Sequence, residues 1–246
     1  MKRIISLLLC ISLCLGLVGI TVYAEDAKKS IINNKDTTDY ISPENQLTQF
    51  LSSKSLTNER VSAAIRKHNL GQSLANGTGV IRSVNNSSNT LDVPWFIQPN
   101  GYYCGPATVK QTIHFINGTS DTQANIAVAL LTNEDGTDTN KMCTYLNNNT
   151  ECYYEVLWWW ANASAFSDMV ISNTDDEVPI IGHVIISYAG DWPYTTGGHY
   201  INYNGYSENG EVFAVTDPFV DRFGDTDGKY TISNDEAERV TDRIIW

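Results

Sequence analysis

The sequence predicts an α+β fold, and three observations carry that prediction. Before about residue 171 the apolar residues recur mostly at helical spacing. From residue 179 onward they come in short runs separated by turn residues, and the two patterns follow one another instead of alternating. With 246 residues and 42% hydrophobic content, the chain can bury one core of ordinary size, with segments left over. That core is expected within residues 91–246.

Lys2 and Arg3 precede the apolar run Ile4 to Val22, and Val22-Tyr23-Ala24 has small residues where a signal peptidase cuts, so residues 1–24 read as an export signal. Cys10 and Cys14 leave with it. Leucine stands before each of them, where a lipoprotein signal needs a small residue. Losing two basic and no acidic residues takes the formal charge from −12 to −14, which argues against a nucleic-acid partner or an anionic membrane surface after signal removal. A secreted, soluble chain is the expectation.

Residues 25–90 are polar and read as an N-terminal arm, which could be a pro-segment, a helical arm packed on the domain, or a linker. Within it Ser42-Pro43 opens a helix with Leu47, Phe50 and Leu51 on one face, Thr57 to Leu70 offers a second helix, and Val80 to Val84 a strand. Asn85 to Thr90 has a linker composition.

The stretch from Val93 to Thr108 then brings an extended segment to an end and starts a helix, with Cys104 at the junction. Pro106 suits the first turn, Val109, Ile113 and Ile116 recur on one face, and Gly118 is the stop. A thiol at a helix start faces unpaired N–H groups and the positive end of the helix dipole, both of which favour thiolate. Six residues earlier, Gln98 offers a carboxamide N–H that, with the Cys104 backbone N–H, would make an oxyanion hole.

Further helices are expected at Thr122 to Leu131, around Met142, Tyr145 and Leu146, and at Ala161 to Ile171. Pro179 to Ser187 reads as a central strand. His199 to Tyr206 and Glu211 to Asp217 flank the turn Ser207 to Gly210, Tyr230 to Ile232 follows another turn, and Ser233 with Glu236 opens a last helix.

A thiolate nucleophile needs an imidazole. His114 shares a helix with Cys104 and lies about 15 Å further along its axis. His68 sits in the arm, and His183 in the apolar strand run reads as a core histidine. His199 follows Gly197-Gly198 at a strand start and is the best base. If the hairpin loop is Ser207 to Asn209, the register puts Asp217 opposite His199, where its carboxylate can hold the ring.

With these residues in hand, the chain resembles papain-fold cysteine peptidases, in the branch that includes bacterial double-glycine leader peptidases. Tyr102-Tyr103-Cys104-Gly105-Pro106-Ala107, Gln98, Gly198-His199-Tyr200, Asp217-Pro218 and the turn Gly136-Thr137 carry the likeness. The Cys-Gly-Ser/Ala-Cys-Trp/Tyr signature of papain itself is absent, and an aspartate stands where papain has asparagine. The resemblance implies a papain-like fold, with a helical half followed by an antiparallel sheet. It implies a peptide or protein substrate, and a catalytic set of Cys104, His199, Asp217 and Gln98 with no cofactor. Of the remaining thiols, Cys143 and Cys152 are the pair that an oxidising compartment would join in a disulfide. Neither they nor the histidines fall in a zinc pattern. Two other functions use the same residues differently: amide hydrolysis in cell-wall stem peptides, and ligand binding on an inactive peptidase fold through Trp158-Trp159-Trp160.

Overall fold

The computed structural model describes residues 41–78, 87–188, 190, 192–219 and 228–246. The export signal, the strand expected at Val80 to Val84 and most of the turn before Gly228 lie outside these residues. Residues Ile41–Trp246 form one compact unit. No helix among the described residues is long and apolar enough to cross a membrane.

Two helices lead, α1 (Pro43–Ser53) and α2 (Asn58–Ala75), followed by the short strand β1 (Asn89–Thr90). Next come α3 (Cys104–Asn117), α4 (Gln123–Leu130) and α5 (Thr139–Asn149). The remainder is β2 (Val156–Leu157), α6 (Ala163–Asp175), β3 (Ile180–Ile186), β4 (Thr196–Ser207), β5 (Val212–Thr216), β6 (Lys229–Ser233), α7 (Asn234–Val240) and β7 (Thr241–Ile245). The α+β expectation holds: helices dominate the first half, and a seven-stranded antiparallel sheet fills the second, in the order β2-β7-β3-β4-β5-β6 with β1 against β4.

Both faces of this sheet are covered. One carries the core of Phe166, Met169 and Val170 from α6 with Ile180, Val184, Ile201, Tyr203 and Phe213 from the strands. The other carries Val109, Ile113, Ile126, Leu130, Met142 and Leu146 from α3, α4 and α5 against Ile181, Tyr200 and Ile245. Burial on both faces is why the run through β3 is continuous and not alternating.

Two expectations are corrected, and one strand was not foreseen. First, the arm is not a polar appendage of little core value. Phe50, Ala64 and Leu74 are buried, and Gln46 Oε1 accepts the Val156 backbone N–H at 2.7 Å. His68 Nδ1 meets Glu155 Oε2 at 2.7 Å; Glu155 is fully buried, and Tyr153 and Trp246 also donate to it. Residues 89–90, read as linker, pair with Gly205 and Tyr206. Second, Cys143 and Cys152 are unbonded. The Cys143 thiol points inward and donates to Gln46 Oε1 and to the Tyr154 carbonyl. Burial pushes its pKa well up, leaving an inert structural thiol. The unforeseen strand is β7, which follows the last helix directly and inserts between β2 and β3.

The Glu155 carboxylate gives a test of the arm's role. Removing one partner of a buried ion pair typically costs about 3–5 kcal/mol, so His68→Ala should lower the urea-unfolding free energy by that order. A loss under about 1 kcal/mol would mean that Tyr153 and Trp246 suffice for Glu155. The hydrogen bond that His68 donates to Glu155 raises the His68 pKa above 6.5 despite its burial. The pair's contribution is therefore complete below pH 6.5 and falls as pH rises through the higher folded value. The His68→Ala protein should lack that step.

Candidate active site

Among the described residues each α-helix but one has a side chain capping its N-terminus: Ser42, Thr57, Thr122, Asp138, Asn162 and Ser233 accept an N–H group that their helix leaves unpaired. The exception is α3. Its N-cap is Tyr103, which makes no side-chain cap, and Cys104 is the first helical residue. The first turn of this helix therefore keeps backbone N–H groups and positive dipole for something else. The backbone groups of Gly105 and Tyr200 hydrogen-bond to the sulfur. A Cβ on Gly105 would come within 2.6 Å of the Thr137 side chain, so glycine there is what lets the Gly136-Thr137 turn close over the helix start.

Three buried polar residues of α3 fix its position along β4. Thr108 Oγ1 donates to the Tyr200 carbonyl at 3.0 Å, Thr112 Oγ1 donates to Asn202 Oδ1 at 2.8 Å, and Gln111 Oε1 accepts from Asn202 Nδ2 at 2.9 Å. The result sets the Cys104 thiol beside the His199 imidazole, where each shifts the pKa of the other. The other side of that ring is taken: Nε2 lies 2.8 Å from Asp217 Oδ1, so Nδ1 is the nitrogen available to the thiol.

Asp217 is 1% exposed and fully engaged. Besides His199, the Phe219 N–H donates to Oδ1 at 2.8 Å, and the hydroxyls of Tyr194 and Tyr230 both donate to Oδ2, the latter at 2.8 Å. Its backbone is pinned as well, with its N–H on the Gly228 carbonyl at 2.7 Å and its carbonyl on the Trp95 indole at 2.7 Å. The rings of Tyr194 and Phe219 stand edge-on to His199, with centroids at 5.8 and 6.1 Å, and screen the pair from water.

The electrostatics follow from this packing. Burial alone would lower the His199 pKa, but the Asp217 charge and hydrogen bond, aided by Cys104, outweigh it and raise the pKa to about 10. Burial would likewise raise the Cys104 pKa, yet hydrogen bonding and charge from His199 and the two backbone groups bring it below the ordinary 9.0. The same pair and the tyrosine and Phe219 donors outweigh burial at Asp217 and keep its pKa below 3.8. The arrangement favours thiolate and imidazolium.

Gln98 lies on the loop tied to this centre, its backbone N–H on the Pro218 carbonyl at 2.9 Å. Its Nε2 donates to the Asn100 carbonyl at 2.7 Å, within the turn that delivers Cys104. One hydrogen of that amide has no second partner among the described residues.

The structure thus brings Cys104, His199 and Asp217 together but by a different register. Because Ser207 pairs with Val212, the loop is longer than Ser207 to Asn209, and a bulge lies between Tyr203 and Gly205. Thr216 ends β5 opposite Asn202, so Asp217 reaches His199 diagonally from beyond the strand end. His114 rests against Ser120 and Phe96. His183 pairs with Asp242 at 2.6 Å beside the Tyr200 ring, as a satisfied histidine would. The tryptophan cluster is half-buried: Trp160 stacks on Phe166, and Arg243 covers Trp158. Among the described residues no group of three His, Cys, Asp or Glu side chains could hold a metal ion. Tyr194, Tyr230 and Phe219 were not readable as site residues, since no motif marks the donors to a buried carboxylate.

The Peptidase C39-like family model matches residues 90–240, which include Gln98, Cys104, His199 and Asp217. The chain belongs to that family. No curated protein matches it in sequence. Among solved structures, it is similar to a double-glycine motif protease from an AMS/PCAT transporter in complex with its leader peptide, at 14% identity and TM-score 0.44, covering 64% of this chain and 91% of that one. It is also similar to the peptidase domain of Streptococcus ComA, a bifunctional ABC transporter of a quorum-sensing pathway, at 18% identity and TM-score 0.44, covering 63% and 96%. Both likenesses are too remote to carry residue roles. Family membership and the helix-then-sheet architecture together give a papain-like α+β fold and kinship with cysteine peptidases.

A neutral alkylating reagent should label Cys104 at pH 7 faster than it labels free cysteine, whose pKa near 8.5 leaves it mostly protonated. The check is the labelling rate of the native protein, with the modified residue located by mass spectrometry. A rate equal to that of the unfolded chain would mean that the helix start and His199 do not activate the sulfur.

Proposed function

We propose that this protein is an exported cysteine peptidase that hydrolyses peptide bonds with Cys104 as nucleophile, His199 as proton carrier, Asp217 as its orienter and Gln98 as an oxyanion donor. The observation that supports it most is the chain of buried contacts from Cys104 through His199 to Asp217 at a helix start that no side chain caps. A structural cysteine has no need of a buried imidazole–carboxylate pair.

In the reaction this reading implies, the Cys104 thiolate attacks the carbonyl carbon of a peptide bond, and the developing oxyanion is met by the Cys104 backbone N–H and the free Gln98 amide hydrogen. Imidazolium at His199 gives its proton to the leaving amine. A water then attacks the thioester while His199 takes its proton, and the acid product leaves with the thiolate restored. Throughout, Asp217 keeps Nε2 occupied, so that Nδ1 stays aimed at the sulfur. Residues 1–24 would direct the chain out of the cell, and a peptide or protein is the substrate class.

The test is turnover of a denatured protein and of purified cell wall, each analysed for new amino groups. Amines from the protein support peptidase action, amines from the wall alone would replace it with stem-peptide hydrolysis, and none from either would leave a binding role.

Among variants, folded His199→Ala and Cys104→Ala should show no measurable turnover. Gln98→Ala should lose about 2.7–4 kcal/mol of transition-state stabilisation, a fall of about 10²–10³ in kcat, with Cys104 labelling almost unchanged. Asp217→Asn should keep part of the activity, because Tyr194 and Tyr230 can turn their hydroxyls from donors to acceptors around an amide. Without the carboxylate charge, the alkaline limb of its pH profile should fall from near 10 toward the ordinary histidine value of 6.5. An unchanged limb would remove Asp217 from the proton-handling pair.

A further inference from the structure

Asp217 Oδ2 is held by two phenol hydroxyls that arrive from different parts of the sheet. Tyr194 lies in the segment before β4, and Tyr230 in β6. The Phe219 N–H and His199 already occupy Oδ1, so both hydroxyls serve Oδ2. We propose that Tyr194 and Tyr230 are positioning residues for proton transfer: their hydroxyls neutralise part of the charge on Asp217 Oδ2 and so limit how tightly Asp217 retains the proton on His199. The inference rests on the reading of His199 and Asp217 as the proton-handling pair.

The physical argument compares the two states of that pair. With His199 protonated, the carboxylate has a cation at Oδ1 and depends little on its other donors. With His199 neutral, the buried anion has only neutral donors left, and each hydroxyl then contributes more. The tyrosines therefore favour loss of the proton, which is what His199 must do when it protonates the leaving amine. A carboxylate without them would hold imidazolium too firmly for that step. Burial first, and then the charge of Asp217, push the pKa of both phenols far up, so they remain donors throughout.

The other titratable groups around the pair are Cys104 on α3, which faces the other side of the His199 ring, and Tyr203 on β4, which senses Asp217 while its hydroxyl bonds to Thr241. Neither reaches Oδ2. Lys229, next to Tyr230, has its ammonium on Asp92. The two phenols are thus the only side-chain donors to Oδ2 among the described residues.

The test removes or strengthens the donors and reads His199 directly. Proton NMR of the folded protein would follow the His199 ring signal with pH, assigned by its absence in His199→Ala. In Tyr194→Phe and in Tyr230→Phe the titration should move upward, by about 0.5–1 pH unit each, as expected for one lost hydrogen bond to a buried anion. The alkaline limb of turnover should move with it while kcat falls. Incorporating 3-fluorotyrosine, which makes every phenol a stronger donor without removing any contact, should move the titration down, and it serves if a Phe variant does not fold. An unchanged or lowered titration in a folded Phe variant, or no downward movement with fluorotyrosine, would reduce both tyrosines to packing. Because the NMR titration needs no substrate, it stands even if the protein turns over no peptide, and that separate result would count against the peptidase reading alone.

Discussion

The structure depends on keeping one carboxylate charged inside the protein. An isolated buried Asp217 would be unstable as an anion, since its burial costs several kcal/mol unless hydrogen bonds and a counter-charge offset it. Here four side-chain and backbone donors do so, and they come from β4, from the segments on either side of it and of β5, and from β6. The residue's own backbone ties in the Trp95 loop and Gly228. Chain segments far apart in sequence must therefore all be in place before the charge is stable. Folding and the preparation of His199 are the same event.

The second half of the site is placed by geometry of another kind. Apolar contacts between α3 and β4 would tolerate sliding, because dispersion and hydrophobic burial are not directional. The buried contacts of Thr108, Gln111 and Thr112 with Tyr200 and Asn202 are directional, and they fix the helix in one register. A shift of one residue would break all three and carry Cys104 away from His199. The polar side chains inside this otherwise apolar interface make sense as the means of aligning a helix start with a strand residue.

Much of this was legible in the sequence, where local chemistry decides local structure. The helix from Cys104 to Gly118, the central strand Ile180–Ile186 and the capped helix after Ser233 follow from spacing and capping residues that act within a few positions. What escaped depends on partners distant in the chain. β7 begins at Thr241 with no turn residue to separate it from α7, so its strand character comes from its place between β2 and β3. The hairpin register misled because Glu208, Asn209 and Gly210 all take positive φ and lengthen the turn, which an Asn-Gly pair alone does not reveal. Cys143 was read as a disulfide partner from compartment and proximity in sequence, whereas Gln46, 97 residues away, receives its thiol.

The position of the first two helices bears on whether the arm could be shed as a pro-segment. Cutting it away after Ala75 would remove His68 from Glu155 and Gln46 from the Val156 N–H, leaving the carboxylate without its cation and that N–H without its acceptor. Val156 and Leu157 of β2 pair with β7, β7 pairs with β3, and β3 pairs with the His199 strand. Damage at the arm is thus two strands from the strand that carries the imidazole. Helices that satisfy buried polar groups of the domain act as part of its frame, and any trimming that preserves this frame has to fall before residue 43. A removable segment, if the chain has one, lies upstream of α1, and the polar composition that made 25–90 look uniform conceals a boundary inside it.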